Sequence, residues 1–159
     1  MKKLFVLGKI LKSDSRSIAV VGARKMTARG RRLTSLFVRK LAKAGFTIVS
    51  GLAIGVDTVA HESALKAGGR TIAVLGSGID IIYPYSNKNL AERIAKSGAV
   101  VSAFAKGTAP MGKNFLARNR IIVSLSKAVL VIEGARRSGT LSTASWAAND
   151  GKEVFVVPG

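Results

Sequence analysis

The sequence predicts an α/β domain of the doubly wound kind, a mostly parallel sheet with helices on both faces. Three observations carry this. Strand-like and helix-like segments alternate along the whole chain. The strand-like segments are apolar throughout, as a sheet covered on both faces requires. They lead into loops rich in glycine or small residues that feed helices, where such sheets hold their ligands.

The elements follow in order. "LFVLG" reads as a strand or buried edge segment within an N-terminal flank, residues 1–16. "SIAVVG" is a short apolar run ending at Gly22. In "RRLTSLFVRKLAKAG", Leu33, Leu36, Phe37, Leu41 and Ala44 recur at helical spacing and Gly45 is a stop. "FTIVSG" is a strand, "DTVAHESALKAGG" a helix, "TIAVLG" a strand, "NKNLAERIAKSG" a helix and "AVVSAF" a strand. "NFLARNRIIVSLS" is a helix starting near Asn114, which sets Arg118 and Arg120 in or near its first turn. "AVLVIEG", "GTLSTASWAAND" and "EVFVVPG" close the chain as strand, helix and strand. No linker or repeat interrupts the pattern, so residues 1–159 are expected to be a single domain.

Charge is the outlying property. The chain has 26 Lys plus Arg against 8 Asp plus Glu, a net charge of +18. That excess points to a polyanion, nucleic acid ahead of an anionic membrane. Residues 1–50 hold 13 basic and 1 acidic residue, and residues 101–159 hold 8 and 3. There is no cysteine, which excludes disulfides, thiol catalysis and cysteine-bound zinc; one histidine makes a histidine-based metal site improbable. No metal and no cofactor is expected. The apolar start is interrupted by Lys9 and Lys12, and no run reaches the length of a membrane span. The expected compartment is the cytoplasm, with no membrane partner.

The loops after Gly22, Ser50, Leu75, Phe104 and Ile132 hold the candidate chemistry. "GTAPMGKN", Gly107 to Asn114, nearly matches a phosphate loop, with Glu133 at the end of a possible magnesium-binding strand. Asn114 replaces the hydroxyl that would hold magnesium, which argues against a nucleoside triphosphatase. "GSG", Gly76 to Gly78, is either a tight turn or a set of N–H groups open to a phosphate. His61 stands four residues after Asp57, a pair read as structural because no nucleophile accompanies it. No catalytic residue is expected. Arg136, Arg137, Ser138, Gly139 and Thr140 form a basic loop entering a helix. Phe115 beside Arg118 and Arg120 is the combination with which single strands are held, bases stacked and phosphates paired; from spacing alone a core phenylalanine fits as well. A helix N-terminus disfavours cations, so arginines there ask for an anion.

Five blocks, "VVGARKMTARG", "SGLAIGVDTVAHESAL", "GGRTIAVLGSGIDIIYPYSNKNL", "NFLARNRIIVSLSKAVLVIEGARRSGTLSTA" and "GKEVFVVPG", resemble the Rossmann-like core of the DNA-processing protein A (DprA/Smf) family. The resemblance implies a non-enzymatic single-stranded-DNA binder that helps load the RecA recombinase during natural transformation, and a homodimer. It implies DNA contacts at Arg24, Ser50, Gly51, Asn114, Phe115, Arg118 and Asn119, with Ser138, Gly139 and Thr140 lining the same pocket. Lys25, Gly76, Gly78, Lys113, Arg120 and Arg137 complete the expected DNA-binding set. The family's N-terminal helical and C-terminal winged-helix domains are expected to be absent from this chain. Two departures stand out: Ala103 where the family has a glutamate, and Leu116 where it has proline. The alternative on the same fold is a nucleotide-binding hydrolase of the lysine-decarboxylase-like, cytokinin-activating type. It needs a glutamate after the "SGT" loop, where this chain has Leu141, Ser142 and Thr143.

Overall fold

A computed structural model describes residues 3–134 and 139–158. Among these residues one sheet holds seven strands: β1 Phe5–Gly8, β2 Ser17–Val21, β3 Thr47–Ser50, β4 Thr71–Leu75, β5 Ala99–Ser102, β6 Ala128–Val131 and β7 Glu153–Val156. Five helices alternate with them: α1 Ala28–Lys43, α2 Val56–Lys66, α3 Lys88–Ser97, α4 Gly112–Ser124 and α5 Gly139–Asn149. The strand order is β1-β5-β4-β3-β2-β6-β7. All neighbours pair in parallel except β1, which runs antiparallel to β5 with Phe5 opposite Ser102. The expected doubly wound sheet is present, and the N-terminal segment is its edge strand.

The layers follow from which residues each helix can bury. In α1, Thr34, Val38 and Ala42 point inward at helical spacing, with Leu33, Phe37 and Leu41 beside them. They pack with α2 on Val20 and Ile48. Leu90, Ala91 and Ile94 of α3 cover Ala73, Leu75 and Val100 on the same face. On the other face, Ile122 and Val123 of α4 and Ala147 of α5 cover Ala19, Val49, Val74 and Val129. The central strands are therefore apolar on both sides. Each fully buried Val or Ile contributes about 1.5–3 kcal/mol.

Two polar clusters fix the chain between layers. Asp14 accepts from Arg70 Nε at 2.8 Å and Nη2 at 2.9 Å, from Thr47 Oγ1 at 2.7 Å and from Leu11 N–H at 2.8 Å. This ties the segment after β1 to the starts of β3 and β4. Glu133, just past β6, accepts from Thr27 N–H at 2.9 Å and Thr27 Oγ1 at 2.7 Å. Thr27 caps α1 by accepting from Gly30 N–H at 3.0 Å. The first turn of α1 contains no acid, so Glu133 supplies its carboxylate from another element. A Cβ at Gly30 would lie 2.1 Å from Glu133 Oε1, so a larger residue there would push the carboxylate off Thr27.

The chain winds from β2 outward through β3 to β5, then returns to the other side of β2 to add β6 and β7. The winding reverses between β2 and β6. In open α/β sheets the crevice outside the strand ends at this point is where ligands sit.

Candidate functional site

Above the carboxyl ends of β2, β3 and β6 lies an open groove of about 570 Å³. Arg24 and Ala53 form one wall, Phe115, Arg118, Asn119 and Ile122 of α4 another, and Gly139, Thr140 and Thr143 of α5 a third. A recess beside it is lined by Arg24, Ile54, Tyr83, Pro84 and Phe115.

Phe115 stands at the junction. A Cβ on Gly76 would lie 2.4 Å from its ring, so the glycine is what lets the ring settle on the end of β4. The Tyr83 ring lies 5.8 Å away, tilted by 31°. The Arg24 and Arg118 guanidinium carbons lie 5.5 and 5.3 Å from the Phe115 centroid, within cation–π range. The site is thus an aromatic pair flanked by two guanidinium groups.

Arg118 is buried, only 5% exposed. Its Nη1 donates to the carbonyls of Gly51 at 2.6 Å and Val74 at 3.1 Å, and its Nε to Asn119 Oδ1 at 2.9 Å. Burial lowers its pKa, opposed by the Asp57 charge, with the Arg24 charge acting in the same direction as burial. Asp57 accepts from the N–H groups of Gly51 and Ala53. Burial raises its pKa, against the pull of Arg118 and these N–H groups.

The expected residues divide into groups. Arg24, Phe115, Arg118, Asn119, Gly139 and Thr140 meet at the groove. Lys25 is exposed beside Arg24, and Lys113 is exposed in the first turn of α4. Gly51 reaches the recess, but its N–H and C=O are already held by Asp57 and Arg118. Ser50 is fully buried and donates to the Val20 carbonyl. Asn114 is buried and donates to the Ala109 carbonyl, holding the loop that enters α4. Arg137 and Ser138, with Arg136, lie outside the described residues.

Five readings need correction. Helix α4 begins at Gly112, so Arg118 and Arg120 lie in its second and third turns and not in the first. Arg120 faces away from the groove, its guanidinium 5.1 Å from the Trp146 ring in a separate cavity. Gly78 N–H donates to the Thr108 carbonyl at 2.9 Å and is not open to a phosphate, whereas Gly76 serves as the seat of Phe115. His61 does not pair with Asp57: its Nδ1 lies 2.7 Å from Thr71 Oγ1. Glu133 caps α1 and does not complete a magnesium site with the Gly107–Asn114 loop.

Tyr83, Ile54 and Asp57 were missed as site residues. Tyr83 could have been found, since "IIYPY" places aromatic rings in the loop after β4. Ile54 and the role of Asp57 depend on the turn after β3, where Leu52 has φ +63°.

Fold and groove together define a Rossmann-like domain with a basic, aromatic cleft at the reversal of its winding. A family model for DNA recombination-mediator protein A matches residues 2–159. The chain belongs to that family. It is 48% identical over 157 residues to protein Smf of Escherichia coli, covering 98% of this chain and 42% of that protein. It superposes on DNA processing protein A of Streptococcus pneumoniae with TM-score 0.92 at 41% identity, covering 98% of this chain and 55% of that one. The Helicobacter pylori DNA processing protein A, whose structure was solved for its single-stranded DNA binding mode, gives TM-score 0.92 at 36% identity, covering 99% and 73%. The chain spans about half the length of the curated relatives it matches. Among the described residues no helix is long and apolar enough to cross a membrane.

Proposed function

We propose that this chain binds single-stranded DNA along the groove, with little base preference. The observation that carries the reading is the Phe115–Tyr83 ring pair, flanked by Arg24 and Arg118, in the recess beside the crevice where the strand order reverses. Every base offers a face to an aromatic ring, and guanidinium groups attract the phosphates beside it. Arg24 is exposed and free to meet a phosphate; the buried Arg118 adds positive potential beneath the ring. Lys25 and Lys113 extend the positive rim.

The family supplies the wider role. The domain acts as a non-enzymatic mediator in the cytoplasm, delivering single strands to the RecA recombinase during DNA uptake, as a homodimer. The relatives' names and the H. pylori structure support the DNA part of this reading.

Fluorescence anisotropy of a labelled oligo-dT, against a duplex control and over a salt series, tests it. Binding should favour the single strand, and log K should fall with log salt by about 0.7 per neutralised phosphate. Phe115→Ala should weaken binding by about 1–3 kcal/mol for each base that stacks there. Equal affinity for duplex and single strand, or wild-type affinity in both Arg24→Ala and Phe115→Ala, would overturn it. Turnover of a nucleoside monophosphate would favour the hydrolase.

A further inference from the structure

The groove leaves much of the positive charge without a task. Helix α1 holds six cations, Arg29, Arg31, Arg32, Arg39, Lys40 and Lys43, and no acid. Its buried side is set by Thr34, Val38 and Ala42. At 3.6 residues per turn, Arg32, Arg39 and Lys43 then share one flank, and all three are exposed. That flank borders α2, where Ser63 Oγ lies 3.0 Å from Ser35 Oγ of α1.

Between the two helices runs an open groove of about 280 Å³, lined by Ser35, Arg39, Lys43, Ser63, Lys66 and Ala67. Every charged residue in its lining is a cation; Glu62, the exposed acid of α2, is not part of it. Among the described residues the one ion pair is Arg70 with Asp14, so no carboxylate is in direct contact with Arg39, Lys43 or Lys66. The paired serines share one hydroxyl hydrogen, which leaves the other free to donate outward. Cationic heads around a free hydroxyl fit phosphate oxygens. No aromatic residue lines this groove, so it offers a base nothing to stack on.

Both helices begin at the rim of the sheet, and the groove between them leads down from it. Arg32 stands between the rim and Arg39 on the same flank, and Arg32 to Lys43 spans about 16 Å at 1.5 Å per residue. We infer that the α1–α2 groove is a second, sequence-independent contact for a nucleic-acid phosphodiester backbone, taking the strand that leaves the rim groove. The inference rests on the reading of the rim groove as the single-strand site.

The test compares a short labelled oligo-dT of about 6 nucleotides, which occupies one site, with a long one of about 30. The triple variant Arg39→Ala, Lys43→Ala, Lys66→Ala removes exposed side chains only. It should leave the short strand's affinity unchanged, weaken the long strand tenfold or more, and lower the salt slope on the long strand by about 2, at about 0.7 per phosphate. A control triple on α3, Lys88→Ala, Arg93→Ala, Lys96→Ala, removes the same charge elsewhere and should leave both strands near wild type. An unchanged long-strand affinity, or equal losses in the control, overturns the second contact while leaving the rim site standing. Wild-type protein that binds neither strand overturns both. Loss of binding to anionic lipid vesicles, with long-strand affinity intact, assigns the groove to a membrane and overturns the inference.

Discussion

Arg118 and Asp57 hold opposite ends of one residue. Asp57 Oδ2 accepts the Gly51 N–H at 3.1 Å, and Arg118 Nη1 donates to the Gly51 carbonyl at 2.6 Å. A Cβ on Gly51 would lie 2.5 Å from Arg118 Nη1 and 2.9 Å from Asp57 Oδ2. The turn after β3 is thus clamped by a carboxylate from α2 and a guanidinium from α4, which come from opposite faces of the sheet.

Arg118→Ala should therefore be costly for folding as well as for binding. It leaves the Gly51 and Val74 carbonyls without a donor and Asp57 buried without its cation. Each buried polar group left without its partner costs about 1–3 kcal/mol. Arg118→Lys should recover little, because an ammonium cannot reach both carbonyls and Asn119 with a planar fork. Urea denaturation measures it. A wild-type midpoint in an Arg118→Ala protein that no longer binds DNA would show that Arg118 is a direct ligand and not a clamp.

Gly76→Ala should disturb the site more than the fold. The new methyl would meet the Phe115 ring at 2.4 Å, and the ring would have to leave its place beside Tyr83. Overpacking of this kind costs about 1–3 kcal/mol. Single-strand affinity should fall by about the amount seen in Phe115→Ala. Gly76→Ala with unchanged affinity would show that the ring position is immaterial to binding.

Removing the Glu133 carboxylate should unwind the start of α1. Glu133→Ala frees Thr27 N–H and takes away the negative charge at a helix end that has no acid of its own. A loss of about 1–2 kcal/mol is expected from the cap and the helix dipole together. A double-mutant cycle with Thr27→Val should show coupling between the two residues. Additive losses would mean the two act independently.

The alternation of apolar runs and amphipathic helices made the sheet and its layers legible in the sequence. The central strands needed apolar residues on both faces, and that demand leaves a continuous pattern. Arg24, which the resemblance assigns, and Phe115, which spacing leaves between core and site, both line the groove. Arg120 does not: two residues after Arg118, it stands about 200° around the helix and takes the opposite flank wherever α4 begins. Gly78 failed for another reason: its N–H is taken by Thr108, on a loop far away in sequence. The partner of His61 likewise comes from β4 and not from its own helix.

That partner gives His61 a measurable effect on stability. The side chain is fully buried, and burial, helped by the Arg118 charge, pushes its pKa down to about 3 from 6.5. Thr71 Oγ1 donates to the Ile48 carbonyl, so it must accept from His61 Nδ1–H, which leaves the buried Nε2 without a partner. Below pH 6.5 the unfolded chain takes up a proton that the folded chain refuses until about pH 3. The stability this group contributes is therefore complete above pH 6.5 and is lost as pH falls, by at most about 1.4 kcal/mol per pH unit. Asp57 acts in the opposite sense, because burial raises its pKa and the folded chain holds that proton longer. Asp14 enters only below its ordinary 3.8: burial works against its charge, but Arg70, Leu11 N–H and Thr47 hold its pKa lower. A His61→Leu variant isolates the histidine from both carboxylates. It should be less stable than wild type at neutral pH, having lost the bond to Thr71, yet its unfolding free energy should fall less steeply from pH 6.5 to about 4.5. Parallel profiles for the two proteins would mean that His61 takes its proton equally well in the folded state, and that Nε2 is reached by water.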